Sequence, residues 1–202
     1  MDKLTYIGLE IDEHGSTFSR DKKDSILDFP KPITEKQLKQ FIGLASYFRT
    51  HVPNHSDIVR PLERMLTKHE RSRKLEWTEE TTNAFENIKQ AINDCQKLHF
   101  LTEGGEIHLK TDACIYGIGA YLYQIVDGVE RPIYLFSKSL STDQLKWHIP
   151  EKEYFALWYT LKKLDYLIRD THFILHTDHK NLTFLKTAGS DKVMQWKLDI
   201  QE

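Results

Sequence analysis

Cysteine is scarce in this sequence, and the scarcity excludes two classes of protein. Only two cysteines, Cys95 and Cys114, occur in 202 residues, too few for the disulfide framework of a small secreted domain. They lie far apart, and neither belongs to a Cys-x-x-Cys pair of the kind that binds zinc. Both are interpreted as small apolar side chains of a buried core.

Long apolar runs are also lacking. No stretch approaches the roughly 20 apolar residues that a membrane-spanning helix needs. The N-terminus does not show the basic-then-apolar pattern of a secretory signal. We therefore expect no membrane association and an intracellular protein, cytoplasmic or nuclear.

An excess of either charge is the third absence. Lysine and arginine total 28 against 30 acidic residues, a net charge of -2, so bulk charge does not indicate a nucleic-acid binder. One stretch is locally basic, with seven basic residues against three acidic ones: Arg49, Arg60, Arg64, Lys68, Arg71, Arg73 and Lys74 against Asp57, Glu63 and Glu70. Two readings stay open, a solvated helix face and a stripe that follows a phosphate backbone.

The first half of the sequence has mainly helical patterns. Residues 4–11 alternate as in a strand, and a turn follows. Thr34 with Gln37 forms a capping box before a helix predicted to reach about Val52, and Thr78 starts another helix. Shorter helices are predicted over 22–29 and 57–67, although Pro61 lies in the second of them.

After a break at residues 103–105 the pattern changes to short strands. Strands are predicted over 107–111, 117–126 and 132–137, with a turn at Asp127-Gly128. A long amphipathic helix over 150–168, a strand over 173–177 and a short helix over 181–186 follow. Three consecutive strands, a crossover helix and a further strand predict an α/β unit with a mixed sheet.

Three carboxylates occupy the ends of these elements. Asp112 ends the first strand, Glu153 lies in the first turn of the long helix, and Asp178 ends the strand after it. If the two strands are neighbours, the carboxylates meet at one sheet edge, where hard oxygen ligands suit Mg²⁺ or Mn²⁺. Two such ions about 3.5 to 4 Å apart support phosphodiester hydrolysis. On pattern alone, acidic residues at element ends are also ordinary caps or solvated side chains.

Several motifs in the second half favour a catalytic site. The sequence resembles the ribonuclease H domain of gypsy-like LTR retrotransposon reverse transcriptases at Lys110–Cys114, Gly117–Leu122, Phe136–Leu140, Glu151–Glu153 and Thr177–Leu182. The resemblance implies an α/β fold, with Asp112, Glu153 and Asp178 as catalytic metal ligands. Glu151 is the competing carboxylate, and Glu153 is preferred because it directly precedes an apolar run, as the family's catalytic glutamate does.

The first half resembles the same family at Tyr6–Gly8, Phe41–Arg49, Arg60–Leu62 and Trp77–Thr78. The resemblance implies the end of a polymerase palm over residues 1–15, a helical thumb and connection segment over 16–100, and a ribonuclease H-like domain over 101–202. The palm-end strand would help hold a primer, which makes Tyr6 and Gly8 candidate nucleic-acid contacts. Arg60 and Arg64 are candidates in the thumb.

Four further residues are weighed as substrate contacts. Lys138, Trp147 and His148 lie where an RNA/DNA hybrid would pass, although Trp147 is equally explained by packing under the helix. His179 would contact substrate or leaving group, or simply cap the next short helix.

The family pattern continues beyond this sequence. Relatives carry another strand and helix with a fourth acidic ligand, usually in an Ala-Asp pair, whereas this chain ends at Gln201-Glu202. It also contains no Tyr-x-Asp-Asp-like polymerase motif. We expect a piece of a polyprotein, with polymerase upstream and integrase downstream. Its intact domain would use two Mg²⁺ or Mn²⁺ ions to hydrolyse the RNA strand of RNA/DNA hybrids, and whether this chain is active alone is left open.

Two rival functions belong to other classes: an inert remnant of a retroelement, and a nucleic-acid-binding module without catalysis. Integrases share the general fold, but their carboxylates run Asp, Asp, Glu along the chain. The order Asp, Glu, Asp here favours ribonuclease H.

Overall fold

The computed structural model describes residues 3–66, 75–177 and 191–201. The chain divides into two compact units, Met1–Phe100 and Leu101–Glu202. Within the described residues, every helix is too short or too polar to cross a bilayer.

The first unit contains a four-stranded antiparallel sheet in the order β1-β2-β3-β4. Its strands are β1 (Leu4–Tyr6), β2 (Leu9–Asp12), β3 (Gly15–Phe18) and β4 (Leu98–His99). The single strand predicted over residues 4–11 is therefore wrong, because the chain reverses at Ile7 and Gly8. Their φ angles are 49° and 80°, as in the two-residue turns that match strand twist. Ile7 is an unusual residue for such a turn, so the alternating pattern concealed it.

Four helices complete this unit: α1 (Arg20–Leu27), α2 (Glu35–Tyr47), α3 (His55–Leu66) and α4 (Glu79–Asn93). The capping box of Thr34 with Gln37 is confirmed, and Thr78 caps α4 in the same way with Thr81. Pro61 is accommodated inside α3, where it lacks the N–H that would donate within the helix. The helices bury one continuous apolar core that includes Phe41, Phe48 and Phe85.

The second unit contains a mixed sheet in the order β7-β6-β5-β8. Its strands are β5 (Glu106–Ala113), β6 (Gly117–Val126), β7 (Val129–Ser139) and β8 (Phe173–His176). The first three form an antiparallel meander, and β8 pairs in parallel with β5. The predicted turn at Asp127-Gly128 is confirmed, with φ angles of 53° and 75°. The α/β fold with a mixed sheet is thus confirmed.

Helix α5 (Ile149–Ile168) packs against β5 and β6 and buries Leu164 with Leu109 and Leu122. A short 3-10 helix, Gln144–Lys146, precedes it. A further helix, α6 (Asp191–Gln201), packs on α5 and was not predicted from the sequence. The short helix predicted over residues 181–186 lies outside the described residues.

The two cysteines differ in their burial. Cys95 is buried in the core of the first unit, as predicted. Cys114 is only partly buried, so the prediction of a core side chain is wrong there. Its Sγ accepts hydrogen bonds from the backbone of Tyr116 and Gly117, at 3.4 and 3.2 Å. Cys114 therefore shapes the connection between β5 and β6.

Candidate active site

Asp112 is the penultimate residue of β5. Along this strand Leu109, Thr111 and Ala113 are buried, whereas Lys110 and Asp112 are exposed. Side chains alternate between the two faces of a strand, so the carboxylate of Asp112 is accessible on the face opposite Leu109. Its cross-strand partner is Gly119, where an added Cβ would meet only Phe136 O, at 3.7 Å.

Glu153 lies in the second turn of α5 and is only 3% exposed. Its rival, Glu151, has other contacts: its Oε2 accepts the backbone N–H of His148 at 3.0 Å, and its Oε1 pairs with Lys192 Nζ at 3.1 Å. Glu151 therefore caps the helix and joins it to α6. The two glutamates occupy clearly different environments.

Lys152 lies between these glutamates, and its burial was not predicted from the sequence. It is buried, and its Nζ donates to Ile115 O at 3.0 Å and to Leu145 O at 3.1 Å. A lysine between two glutamates in a first helical turn normally indicates a solvent-exposed position, so no local signal would have identified it.

Asp178 and His179 lie outside the described residues. The last described pairing in this part of the sheet joins Lys110 of β5 with His176 of β8. Among residues 3–66, 75–177 and 191–201, no group of three or more His, Cys, Asp or Glu side chains is close enough to hold a metal ion. The predicted cluster of three carboxylates therefore stays a prediction.

A stack of aromatic rings lies on the same face of β5 as Asp112, and it too was not predicted. His108 is buried and stacks on Tyr123, with ring centroids 4.8 Å apart. Its Nδ1 lies 2.8 Å from His176 Nε2, and Lys110 Nζ lies 4.6 Å from the Tyr123 ring centroid. These contacts join β6, β5 and β8. They lie on the N-terminal side of Asp112 along β5, where Lys110 precedes Asp112 by two residues.

The residues weighed as substrate contacts near α5 have distinct surroundings. Lys138 is partly buried, with Nζ 5.6 Å from the ring centroid of Tyr159. His148 is exposed at the N-cap of α5. Trp147 packs edge-on against Phe155, with ring centroids 5.3 Å apart. Packing under the helix therefore accounts for Trp147.

In the first unit, Tyr6 ends β1, and Gly8 is the second residue of the two-residue turn between β1 and β2. Tyr6 is 61% exposed. The turn is fastened because the Tyr47 hydroxyl of α2 donates to Ile7 O, and Ser19 N donates to Gly8 O at 2.9 Å. Gly8 has a φ of +80°, and a Cβ there would lie 2.9 Å from Lys22 Cγ. Glycine is thus required to seat an exposed hairpin tip on the helices.

Arg60 and Arg64 belong to α3, where Arg60 is partly buried and Arg64 is exposed. Neighbouring Glu63 has a raised pKa because it is partly desolvated, with Arg60 acting in the opposite direction. Of the other basic residues in the stretch, Arg49 is exposed just after α2, whereas Lys68, Arg71, Arg73 and Lys74 lie outside the described residues. Both readings of the stretch therefore remain open.

The sheet order, the crossover helix and the placement of Asp112 and Glu153 define the class: a ribonuclease H-like fold. Residues 102–202 match the family described as "RNase H-like domain found in reverse transcriptase". The chain belongs to this family.

Similar proteins extend the likeness over the whole chain. Transposon Tf2-3 and Tf2-4 polyproteins of Schizosaccharomyces pombe are 31% identical over 207 residues, which cover 99% of this chain and 15% of each polyprotein. The chain therefore spans about 15% of the length of these relatives. The resemblance to retrotransposon reverse transcriptases is confirmed.

Solved structures show the same fold. The foamy viral protease-reverse transcriptase in complex with dsDNA has a TM-score of 0.79 at 24% identity, over 99% of this chain and 43% of that one. The structure described as its complex with an RNA/DNA hybrid has a TM-score of 0.76 at 24% identity, over 99% of this chain and 28% of that one. At this identity the likeness establishes fold alone.

Proposed function

We propose that this chain is the thumb, connection and ribonuclease H part of a retrotransposon polyprotein, and that the intact domain hydrolyses the RNA strand of RNA/DNA hybrids during reverse transcription. One observation carries the proposal. Within a domain of the reverse transcriptase RNase H-like family, Asp112 is exposed at the end of β5, and Glu153 is buried in the helix that packs on that strand.

The donor set fits a divalent cation of the magnesium type. Asp112 and Glu153 supply hard carboxylate oxygens, which suit Mg²⁺ or Mn²⁺. We propose Asp178, which lies outside the described residues, as the third ligand, and two ions in the intact domain. When bound, such ions would stabilise the charge that develops on a phosphodiester during hydrolysis.

The two described carboxylates have complementary roles in this proposal. Asp112 is open to solvent, so a nucleic-acid phosphate can reach it. Glu153 is surrounded by protein, where charge interactions are stronger than in water. Glu151 accepts the backbone N–H of His148 as a helix cap and pairs with Lys192. Because its carboxylate is engaged in this way, Glu153 is the better candidate for the catalytic glutamate.

Nucleic-acid contacts are proposed for both units. The hairpin tip with Tyr6 and Gly8 would meet the primer end, and Arg60 and Arg64 would follow a phosphate backbone. Near the catalytic carboxylates the proposed contacts are Lys138, His148 and His179. The foamy viral protein, whose structures contain dsDNA or an RNA/DNA hybrid, supports a nucleic-acid partner.

The polyprotein context is also a proposal. The Tf2 relatives are polyproteins far longer than this chain. We propose polymerase sequences upstream, integrase sequences downstream and an intracellular site of action.

Cleavage of an RNA/DNA hybrid with end-labelled RNA, in the presence of Mn²⁺, tests the proposal. We expect slow cleavage by the 202-residue chain and faster cleavage when the next strand and helix of a Tf2 relative are appended. Asp112→Asn and Glu153→Gln should each reduce the rate about 100-fold or more, because a missing ligand removes a metal contact. Glu151→Gln is the matched control and should retain most of the activity.

Other outcomes would favour the rival functions. An extended chain that folds, yet neither cleaves nor binds hybrid, would indicate an inert remnant. Hybrid binding that persists in a chelator, without any cleavage in Mn²⁺, would indicate a binding module.

A further inference from the structure

Lys152 carries a charge yet is only 3% exposed. Removing an ammonium group from water is costly, and the two backbone carbonyls that it contacts offset only part of that cost. An apolar side chain of similar length would avoid the cost altogether. The charge is therefore better explained by what it holds in place than by a contribution to stability.

The two carbonyls belong to different segments. Ile115 lies in the connection that follows β5, three residues after Asp112, and its O accepts from Lys152 Nζ at 3.0 Å. Leu145 lies in the 3-10 helix that leads into α5, and its O accepts at 3.1 Å. One ammonium group therefore joins the end of the Asp112 strand to the start of the Glu153 helix.

The β5–β6 connection is well placed to transmit this restraint. Cys114 N donates to Gly117 O at 2.9 Å, and Leu140 N donates to Tyr116 O at 2.9 Å. The connection is thus braced internally and against the end of β7. Because it is stiff, holding Ile115 also holds the end of β5.

We propose that Lys152 is a positioning residue that sets the placement of the Asp112 and Glu153 carboxylates relative to each other. The inference rests on the proposed function of those two residues as metal ligands. Supporting residues around a metal site commonly change metal affinity by about 10- to 100-fold when they are replaced.

The test compares Mn²⁺ affinity, measured from the electron paramagnetic resonance signal of free Mn²⁺, across lysine variants. Lys152→Met removes the charge and keeps the length. Lys146→Met is the matched control, because Lys146 lies in the same 3-10 helix with its side chain 73% exposed. We expect Lys152→Met to weaken Mn²⁺ binding about tenfold, Lys146→Met to leave it unchanged, and Lys152→Arg, which keeps charge and donors, to restore most of it.

Hydrogen exchange provides a readout that needs no metal. Lys152→Met should speed exchange at the amides of Cys114 and Leu140, whereas Lys146→Met should not. Should Lys152→Met fail to fold, Lys152→Gln replaces it, with an affinity expected below that of Lys152→Arg.

The failures can be told apart. Wild-type protein that binds no Mn²⁺ contradicts the proposed function, and exchange at Cys114 and Leu140 then decides whether Lys152 holds the connection. A folded Lys152→Met or Lys152→Gln variant with wild-type Mn²⁺ affinity, or with unchanged exchange, overturns the inference about Lys152.

Discussion

The two units bury their side chains in different ways. The first unit has one continuous apolar cluster, with fully buried residues such as Phe41, Leu62 and Ile88. The apolar core described for the second unit falls into three smaller clusters. The second unit also buries charged side chains, namely Lys152, Glu153 and Lys197.

The first unit is therefore held together mainly by its apolar core, whereas the second unit also encloses charged side chains beside the candidate active site. Apolar burial stabilises a fold roughly in proportion to area, whereas a buried charge stabilises it only when well compensated. We therefore expect core mutations to dominate the behaviour of the first unit, and ligands to dominate that of the second.

Phe41→Ala should destabilise the first unit strongly. Phe41 is fully buried, with ring centroids 5.4 Å from Phe29 and 4.5 Å from Phe85. Truncation should lower the free energy of unfolding by about 3 to 5 kcal/mol. Urea unfolding followed by hydrogen exchange mass spectrometry measures the loss unit by unit. The control is Phe100→Ala at a position 50% exposed; an equal loss there would contradict the core argument.

Acid should weaken the first unit through His51. Burial lowers the pKa of His51 to about 4, from an ordinary value of 6.5. Well above pH 6.5 the residue is neutral in both the folded and the unfolded state. As the pH falls from 6.5 towards 4, the unfolded chain takes up a proton that the folded chain does not, so about 3 kcal/mol of stability should be lost. Burial also lowers the pKa of His55, which adds to the loss.

Thermal melts between pH 7 and pH 4 measure this loss. His51→Gln cannot take up the proton and should flatten the curve. His14→Gln, at a side chain 63% exposed, should leave it steep. If His51→Gln and wild type show equal pH dependence, another group causes the acid sensitivity.

Manganese should stabilise the second unit alone. A ligand that binds only the folded state at 100 times its Kd adds about 2.7 kcal/mol. We expect slower hydrogen exchange in residues 101–202 with Mn²⁺, and loss of that effect in Asp112→Asn. Asp143→Asn is the control, since the Asp143 side chain is 90% exposed and pairs with Lys146. If Mn²⁺ slows hydrogen exchange in Asp112→Asn as much as in the wild type, Asp112 is not one of the proposed ligands.

Charge reversal in α3 should change the salt dependence of hybrid binding only modestly. If Arg60 and Arg64 bind phosphates, replacing both by Glu should flatten the dependence of log affinity on log salt by about 1 for each phosphate that the variant no longer neutralises. Fluorescence anisotropy with a labelled hybrid measures the slope. Arg20→Glu, at an exposed residue in α1, provides the control. Parallel slopes for the double variant and wild type would make the stretch an ordinary solvated face.

Features encoded within a few residues were predictable. The capping box at Thr34, the helix start at Thr78 and the turn at Asp127-Gly128 depend on neighbours in sequence, so the pattern identified them. The family motifs around Asp112 and Glu153 likewise identified the fold class from short stretches of sequence. The reversal at Ile7-Gly8 was not predicted, because the side-chain hydrogen bond that fastens it comes from Tyr47, 40 positions away from Ile7.

The helices with strong caps, the order of strands along the second half and the candidate carboxylates could be predicted from the sequence, because each depends on local backbone preference or on a short motif. The burial of Lys152 against two backbone carbonyls and the contact of His108 with His176 across strands became evident only in the folded chain. Both features depend on which residues, distant in sequence, pack over the side chain. The free energy of burying a polar group depends on the hydrogen-bond partners that those residues provide, and not on the residue type alone.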